Sequence, residues 1–129
     1  MDNFAALVSQ PVLDELSLLD AFVSRRHRQS LPELLSAWRR YSDLVASRLP
    51  VDMDDFKAML FARDAIQEAV NRATLSSARL LEALISHEDS AFEMGTTNDE
   101  NGLLLARRLE HRPGWWWGRI PLVIAPAES

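Results

Sequence analysis

Three histidines and nineteen acidic residues are the side chains that bear most directly on metal or acid–base chemistry in this chain. The stretch 86–89 (SHED) sets His87 beside two carboxylates, but residues adjacent in sequence do not share a helix face. No second histidine lies at helical ligand spacing, so the zinc motif H-E-x-x-H is absent. The spacing therefore predicts a solvated helix end, and we expect no metal ion and no other cofactor.

Motifs for nucleophilic or nucleotide chemistry are missing. The chain has no cysteine and no G-x-S-x-G elbow, and its four glycines form neither a dinucleotide nor a phosphate-binding fingerprint. Asp64 and Glu68 lie one helical turn apart, and the two interpretations are an inward acid–base pair or surface pairing with Arg63, Arg72 or Lys57. We favour surface pairing, so the sequence predicts a protein that is not an enzyme.

Charge is segregated along the chain. The formal net charge of −5 argues against a general nucleic-acid binder. Residues 25–48 nevertheless hold six arginines against two acids. Two of these arginines lie beside Trp38 and Tyr41, an arrangement suited to phosphate contact and base stacking. An alternative function is therefore a nucleic-acid-binding regulator that uses Arg25, Arg26, Arg28, Arg39 and Arg40. The structural alternative is that these arginines pair with acids on neighbouring helices.

Apolar side chains recur at helical spacing through the first half of the chain. The series 12, 16, 19 and 23 predicts a first helix, with Pro11 in its first turn. Ser30 and Glu33 form a capping box that begins a second helix, which Pro50 closes. The apolar face of this second helix reads Leu34, Trp38, Tyr41, Val45 and Leu49.

Two further helices follow in the second half. Acidic residues from Asp52 onward favour a helix start there, and the fourth helix runs to about Asp89, with a continuation through Met94 before Gly95 ends it. The stretch 95–102 (GTTNDENG) is typical of a loop. Within it Thr97 and Glu100 predict a second capping box, followed by a short fifth helix over 103–109.

Three consecutive tryptophans, Trp115 to Trp117, open the C-terminal segment. Glycines and prolines punctuate residues 113–129, and the segment predicts an extended arm without a sheet to join. Since side chains alternate in extended chain, we expect Trp115 and Trp117 to cover the helices and Trp116 to stay free. Three exposed indoles would form an aggregation-prone patch, so at least two are expected to be buried.

The predicted fold is all-α: a four- to five-helix antiparallel bundle with an extended Trp-rich C-terminal arm. We expect one helical domain over residues 1–129, with the bundle in 1–112 and the arm in 113–129. The start of the chain lacks a signal-peptide pattern and no run is long enough to span a membrane. The expected location is therefore the cytoplasm.

The absence of a catalytic constellation favours a protein-binding module. In general character such a chain resembles bacterial immunity proteins and antitoxins, so the prediction is a small cytosolic inhibitor of a partner protein, such as a toxin or basic enzyme. Alternatives are a small helical ligand-binding protein with a pocket beneath the tryptophans and self-association into a homodimer. The expected partner contacts are Trp115, Trp116, Trp117, Arg119, Glu82, Glu88, Asp89, Glu93, Asp99 and Glu100.

Overall fold

The computed structural model describes residues 9–100 and 114–125. In these residues four helices follow one another: α1 (Gln10–His27), α2 (Leu31–Ala46), α3 (Met53–Arg72) and α4 (Leu75–Met94). A short strand β1 (Thr96–Asn98), a 3₁₀ turn (Trp115–Gly118) and a second strand β2 (Arg119–Pro121) complete the description. The predicted helical bundle with a Trp-rich C-terminal region is confirmed. None of the described helices has the length and apolar character that a membrane span requires.

The helix starts follow from local side-chain chemistry. Ser30 Oγ accepts a hydrogen bond from the Glu33 amide at 3.1 Å, and the Glu33 carboxylate accepts one from the Ser30 amide at 3.5 Å. This is the capping box expected before α2. Asp52 likewise caps α3, because its Oδ1 accepts from the Asp54 amide at 2.6 Å. Pro11 lies in the first turn of α1, as predicted.

The predicted end of α2 was about one turn too late. The helix stops at Ala46, and Arg48 adopts a left-handed backbone conformation with φ of 58°. The chain has therefore left the helix before Pro50. As a result Leu49, which we expected on the apolar face, is 52% exposed.

Two aromatic contacts, one tilted and one stacked, lie in the core between α2, α3 and α4. The Phe92 ring of α4 lies 4.8 Å from that of Trp38 and 5.8 Å from that of Phe56, measured between ring centroids. All three side chains are completely buried. Helix α1 adds Leu19 and Val23 to this core. It also contacts the start of α4, because the Glu15 carboxylate accepts hydrogen bonds from the amide and hydroxyl of Thr74, both at 2.9 Å.

The region after Gly95 differs from its predicted loop. Strand β1 pairs with β2 in antiparallel register, with Thr97 opposite Ile120. The predicted capping box at Thr97 and Glu100 is wrong, because Thr97 lies within a strand. The arm also has a sheet partner, contrary to expectation, and it continues into a parallel bridge between Val51 and Ile124. The predicted fifth helix, 103–109, lies outside the described residues.

Gly95 marks a close approach between the end of α4 and the end of α2. A Cβ at this position would collide with the backbone carbonyl of Val45, which cannot rotate away as a side chain can. We expect Gly95→Ala to lower the free energy of unfolding by about 1–3 kcal/mol, the usual cost of overpacking. Urea denaturation of the purified protein measures this difference.

Gly118→Ala is the matched control, because no atom beyond its two chain neighbours lies within 4 Å of an added Cβ there. Its free energy of unfolding should change by less than about 0.5 kcal/mol. Equal stability of the two alanine variants would contradict the close approach at Gly95.

Candidate functional site

The three tryptophans lie in a tight turn rather than in extended chain. The turn 115–118, called here the tryptophan turn, is closed by a hydrogen bond from the Trp117 amide to the Gly114 carbonyl at 3.1 Å. With about three residues per turn, successive side chains no longer alternate between two faces. Trp116 and Trp117 are therefore buried, and Trp115 is 41% exposed. The predicted orientation, with Trp116 free and Trp115 covered, is wrong.

Asp64 of α3 holds the two buried indoles. The Nε1 groups of Trp116 and Trp117 both donate to Asp64 Oδ1, each at 2.8 Å. One carboxylate oxygen thus satisfies two indole donors that burial would otherwise leave unpaired. From the sequence we expected Asp64 to pair with a basic side chain at the surface, and we did not predict these indole hydrogen bonds. Glu68, in contrast, pairs with bases as expected, although they are Arg26 and His27 of α1, at 2.9 and 3.0 Å.

A buried arginine lies beneath the tryptophan turn. Arg63 is 4% exposed, and its Nε and Nη2 donate to the two carboxylate oxygens of Asp89, each at 3.0 Å. Its Cζ lies 4.3 Å from the centre of the Trp116 ring, a cation–π geometry. Trp38 Nε1 also donates to Asp89 Oδ1 at 2.9 Å. Asp89, an expected partner contact, therefore has its carboxylate engaged inside the bundle.

Sequence reasoning missed Arg63 and Asp89 as an internal pair, although a signal was present. Arg63 is three residues after Leu60 and three before Ile66, on the apolar face of α3. Asp89 is three residues before Phe92, on the core face of α4. Opposite charges on two apolar helix faces that meet in a bundle indicate a buried ion pair, because an unpaired charge there is costly.

Arg119 is also engaged inside the protein. Its Nε donates to Thr96 Oγ1 at 2.7 Å, and its Nη2 donates to the carbonyls of Glu93 and Thr96 at 3.0 and 2.9 Å. The guanidinium thereby fastens β2 to the end of α4 and satisfies one terminal helix carbonyl, that of Glu93. This position makes Arg119 a structural tie between the tryptophan turn and α4.

The remaining expected contacts stay at least partly accessible. Trp115 rests on buried rings, with centroid distances of 5.8 Å to Phe92 and 5.7 Å to Trp116, both edge-on. Glu82, Glu93 and Glu100 are exposed, whereas Glu88 and Asp99 are half-buried. The structure thus divides the predicted set into an internal group and an outer group: Trp116, Trp117, Arg119 and Asp89 inside, and Trp115, Glu82, Glu88, Glu93, Asp99 and Glu100 outside.

The arginines of the nucleic-acid alternative are all exposed: Arg25, Arg26, Arg28, Arg39 and Arg40. Arg26 is held by Glu68, and the Arg40 guanidinium lies 5.5 Å from the Tyr41 ring centre. Trp38 is completely buried, so it cannot stack on a base as that alternative requires. The basic segment thus keeps its charge at the surface but lacks the tryptophan platform.

A metal site and similar proteins are two further sources of evidence on function. Within residues 9–100 and 114–125, no group of three or more His, Asp or Glu side chains is arranged to hold a metal ion. No protein family, characterised protein or solved structure matches the chain. The geometry of the tryptophan turn and its surroundings is therefore the basis for any functional proposal.

The shared acceptor at Asp64 leads to a stability prediction. Asp64→Ala leaves two buried indole N–H groups without this acceptor, and each such loss costs about 1–3 kcal/mol. We expect the free energy of unfolding to fall by about 2–4 kcal/mol, measured by urea denaturation followed by tryptophan fluorescence. Asp64→Asn keeps one oxygen acceptor and should lose less.

Asp43→Ala serves as the control because this acid of α2 is exposed. Its unfolding free energy should stay within about 0.5 kcal/mol of the wild-type value. If Asp64→Ala is as stable as Asp43→Ala, the two indole hydrogen bonds do not hold the turn.

Proposed function

We propose that the chain is a non-enzymatic protein-binding module that neutralises a partner protein in the cytoplasm, as an inhibitor of the immunity-protein or antitoxin type. The observation that carries the proposal is the presentation of Trp115. The indoles of Trp116 and Trp117 are buried in the core. The indole of Trp115 packs against the buried Phe92 ring and remains 41% exposed.

A fixed, exposed tryptophan suits an interface anchor. Tryptophan is among the residues most enriched at positions that dominate binding energy. Trp115 is fixed because its ring rests on Phe92 and Trp116, and because its neighbours are bonded to Asp64. A side chain that is ordered before binding loses little entropy when the complex forms.

Other exposed side chains at the same end of α4 extend this anchor. Met94 is 73% exposed and Leu122 is 43% exposed. The Leu122 amide donates to the Gly95 carbonyl at 3.0 Å, so Leu122 is bonded to the residue that follows Met94. With Glu93, which is exposed between Phe92 and Met94, they form the α4-end surface, defined as Trp115, Glu93, Met94 and Leu122. Apolar side chains rimmed by polar ones mark protein-interaction sites.

Charge supports a basic partner. The chain carries a formal net charge of −5, and Glu82, Glu93 and Glu100 remain exposed after the internal acids are assigned. Complementary charge accelerates association and disfavours acidic competitors. A basic toxin or enzyme that must be captured quickly is the kind of partner that benefits from this arrangement.

Affinity capture from a lysate of the native host tests the proposal. We expect the wild-type chain to retain one basic protein in stoichiometric amount, and Trp115→Ala to bind the purified partner about thirtyfold more weakly, as removal of an anchor worth about 2 kcal/mol predicts. Leu18→Ala is the matched control, because Leu18 is 72% exposed but belongs to α1, which contacts the start of α4. It should bind as the wild type does.

A second variant separates binding from folding. Arg119 and Thr96 donate hydrogen bonds to the backbone carbonyl of Glu93, and its side chain is exposed. Glu93→Arg therefore reverses a surface charge without changing the core. Circular dichroism should show native helix content, and partner binding should weaken. Titration of the purified partner with the chain should abolish the partner's activity at a one-to-one ratio. Failure to capture any specific protein, or full binding by both variants, contradicts the proposal.

A further inference from the structure

A groove between α2 and α4 is lined by an acid that has one carboxylate oxygen without a hydrogen-bond partner among the described residues. Its volume is about 200 Å³, and it is lined by Leu35, Ser36, Arg39, Leu84, Ile85 and Glu88. Glu88 Oε2 is buried and makes no hydrogen bond within the described part of the chain. Native proteins pair nearly all buried polar atoms, so an orphaned carboxylate oxygen calls for a donor from outside.

The walls of the groove suit a long basic side chain. Leu84 is 42% exposed and Leu35 is half-buried, and both line the groove together with Glu88, so the groove offers apolar surface beside this acid. Lysine and arginine bury their methylene stems along apolar surface and carry the charge at the tip. The methylene stem of such a side chain would cover Leu35 and Leu84, and its charged tip would donate a hydrogen bond to Glu88 Oε2.

Arg39 lies at the exposed rim of the same groove, and no hydrogen bond or ion pair engages it among the residues described. Solvent screens an exposed charge far more than a buried one. Arg39 therefore repels an entering cation weakly, whereas Glu88 attracts it at close range. An acidic group beside the entering residue would pair with Arg39.

The groove also lies within reach of the α4-end surface. Glu88 is one helical turn before Phe92, on which Trp115 rests, and a helix rises about 1.5 Å per residue. A protein interface of ordinary size, about 800 Å² on each partner, spans both features. One partner can therefore contact Trp115 and the groove together.

We infer that a lysine or arginine side chain of the partner protein inserts between Leu35 and Leu84 and places its cationic head on Glu88. This inference rests on the proposed function, because it names the chemistry by which the partner is recognised. The unpaired Oε2, the apolar walls and the position one helical turn from Phe92, on which Trp115 rests, all point to the same occupant.

The first test uses n-butylguanidinium as the probe and needs no partner. The cation is titrated into the full chain while the methyl resonances of Leu35, Leu84 and Ile85 are followed by NMR. We expect saturable shifts that weaken about tenfold in Glu88→Gln, because the charge-assisted hydrogen bond is lost. Asp43→Asn, which changes an exposed acid of α2 outside the groove, should bind as the wild type does.

Two further experiments distinguish a cation bound at Glu88 from an anion bound at Arg39. Arg39→Gln should tighten cation binding, because the repelling charge is gone. n-Butylsulfonate, the anionic counterpart of the probe, should cause no saturable shift. The inference is overturned if the sulfonate binds in place of the cation, or if Glu88→Gln leaves cation binding unchanged.

The captured partner provides the second test. Glu88→Gln should reduce its affinity by about tenfold. If Trp115→Ala loses the partner but Glu88→Gln binds normally, the groove inference is wrong and the proposed function stands. If the cation binds at Glu88 but no protein is captured, the assignment of the occupant to a partner protein is overturned together with the proposed function.

Discussion

The buried ion pair between Arg63 and Asp89 is the interaction on which the rest of the structure depends. It joins α3 to α4 through two hydrogen bonds of 3.0 Å. Asp89 also connects α2 to this pair, because its carboxylate accepts a hydrogen bond from the Trp38 indole N–H. The open face of the same guanidinium lies against Trp116. Removing one partner of a buried pair typically costs about 3–5 kcal/mol, because the remaining charge stays desolvated. The pair thus joins the three helices α2, α3 and α4 directly beneath the tryptophan turn.

The exposure of Trp115 follows from this internal chemistry. Arg63 fixes the ring of Trp116, and Asp64 fixes the indole nitrogens of Trp116 and Trp117. In a 3₁₀ turn the preceding side chain then points along a third direction, toward Phe92 and solvent. The buried polar groups thus help to determine which of the three indoles stays at the surface.

The helices were predictable because their information is local. Apolar periodicity and the capping residues Ser30 and Asp52 lie within a few positions of the elements they define. Strand β1 was not predictable in this way, because Thr96–Asn98 lacks an apolar alternation and its partner lies more than twenty residues away. The prediction of which tryptophan side chains are buried was wrong for a related reason. The alternation rule holds only for extended chain, and the turn is stabilised by Asp64, a residue remote in sequence.

Charge read from a sequence overstates the charge that a partner meets. Asp64 binds indoles, Asp89 binds Arg63, and Glu68 binds two bases of α1. These acids contribute to the net charge but not to local recognition. For the proposed partner, the long-range field of the remaining acids governs the association rate, whereas buried contacts govern dissociation. Under the proposed function, specificity would depend on two side chains: Trp115, which is 41% exposed, and Glu88, which has an oxygen without a partner among the described residues.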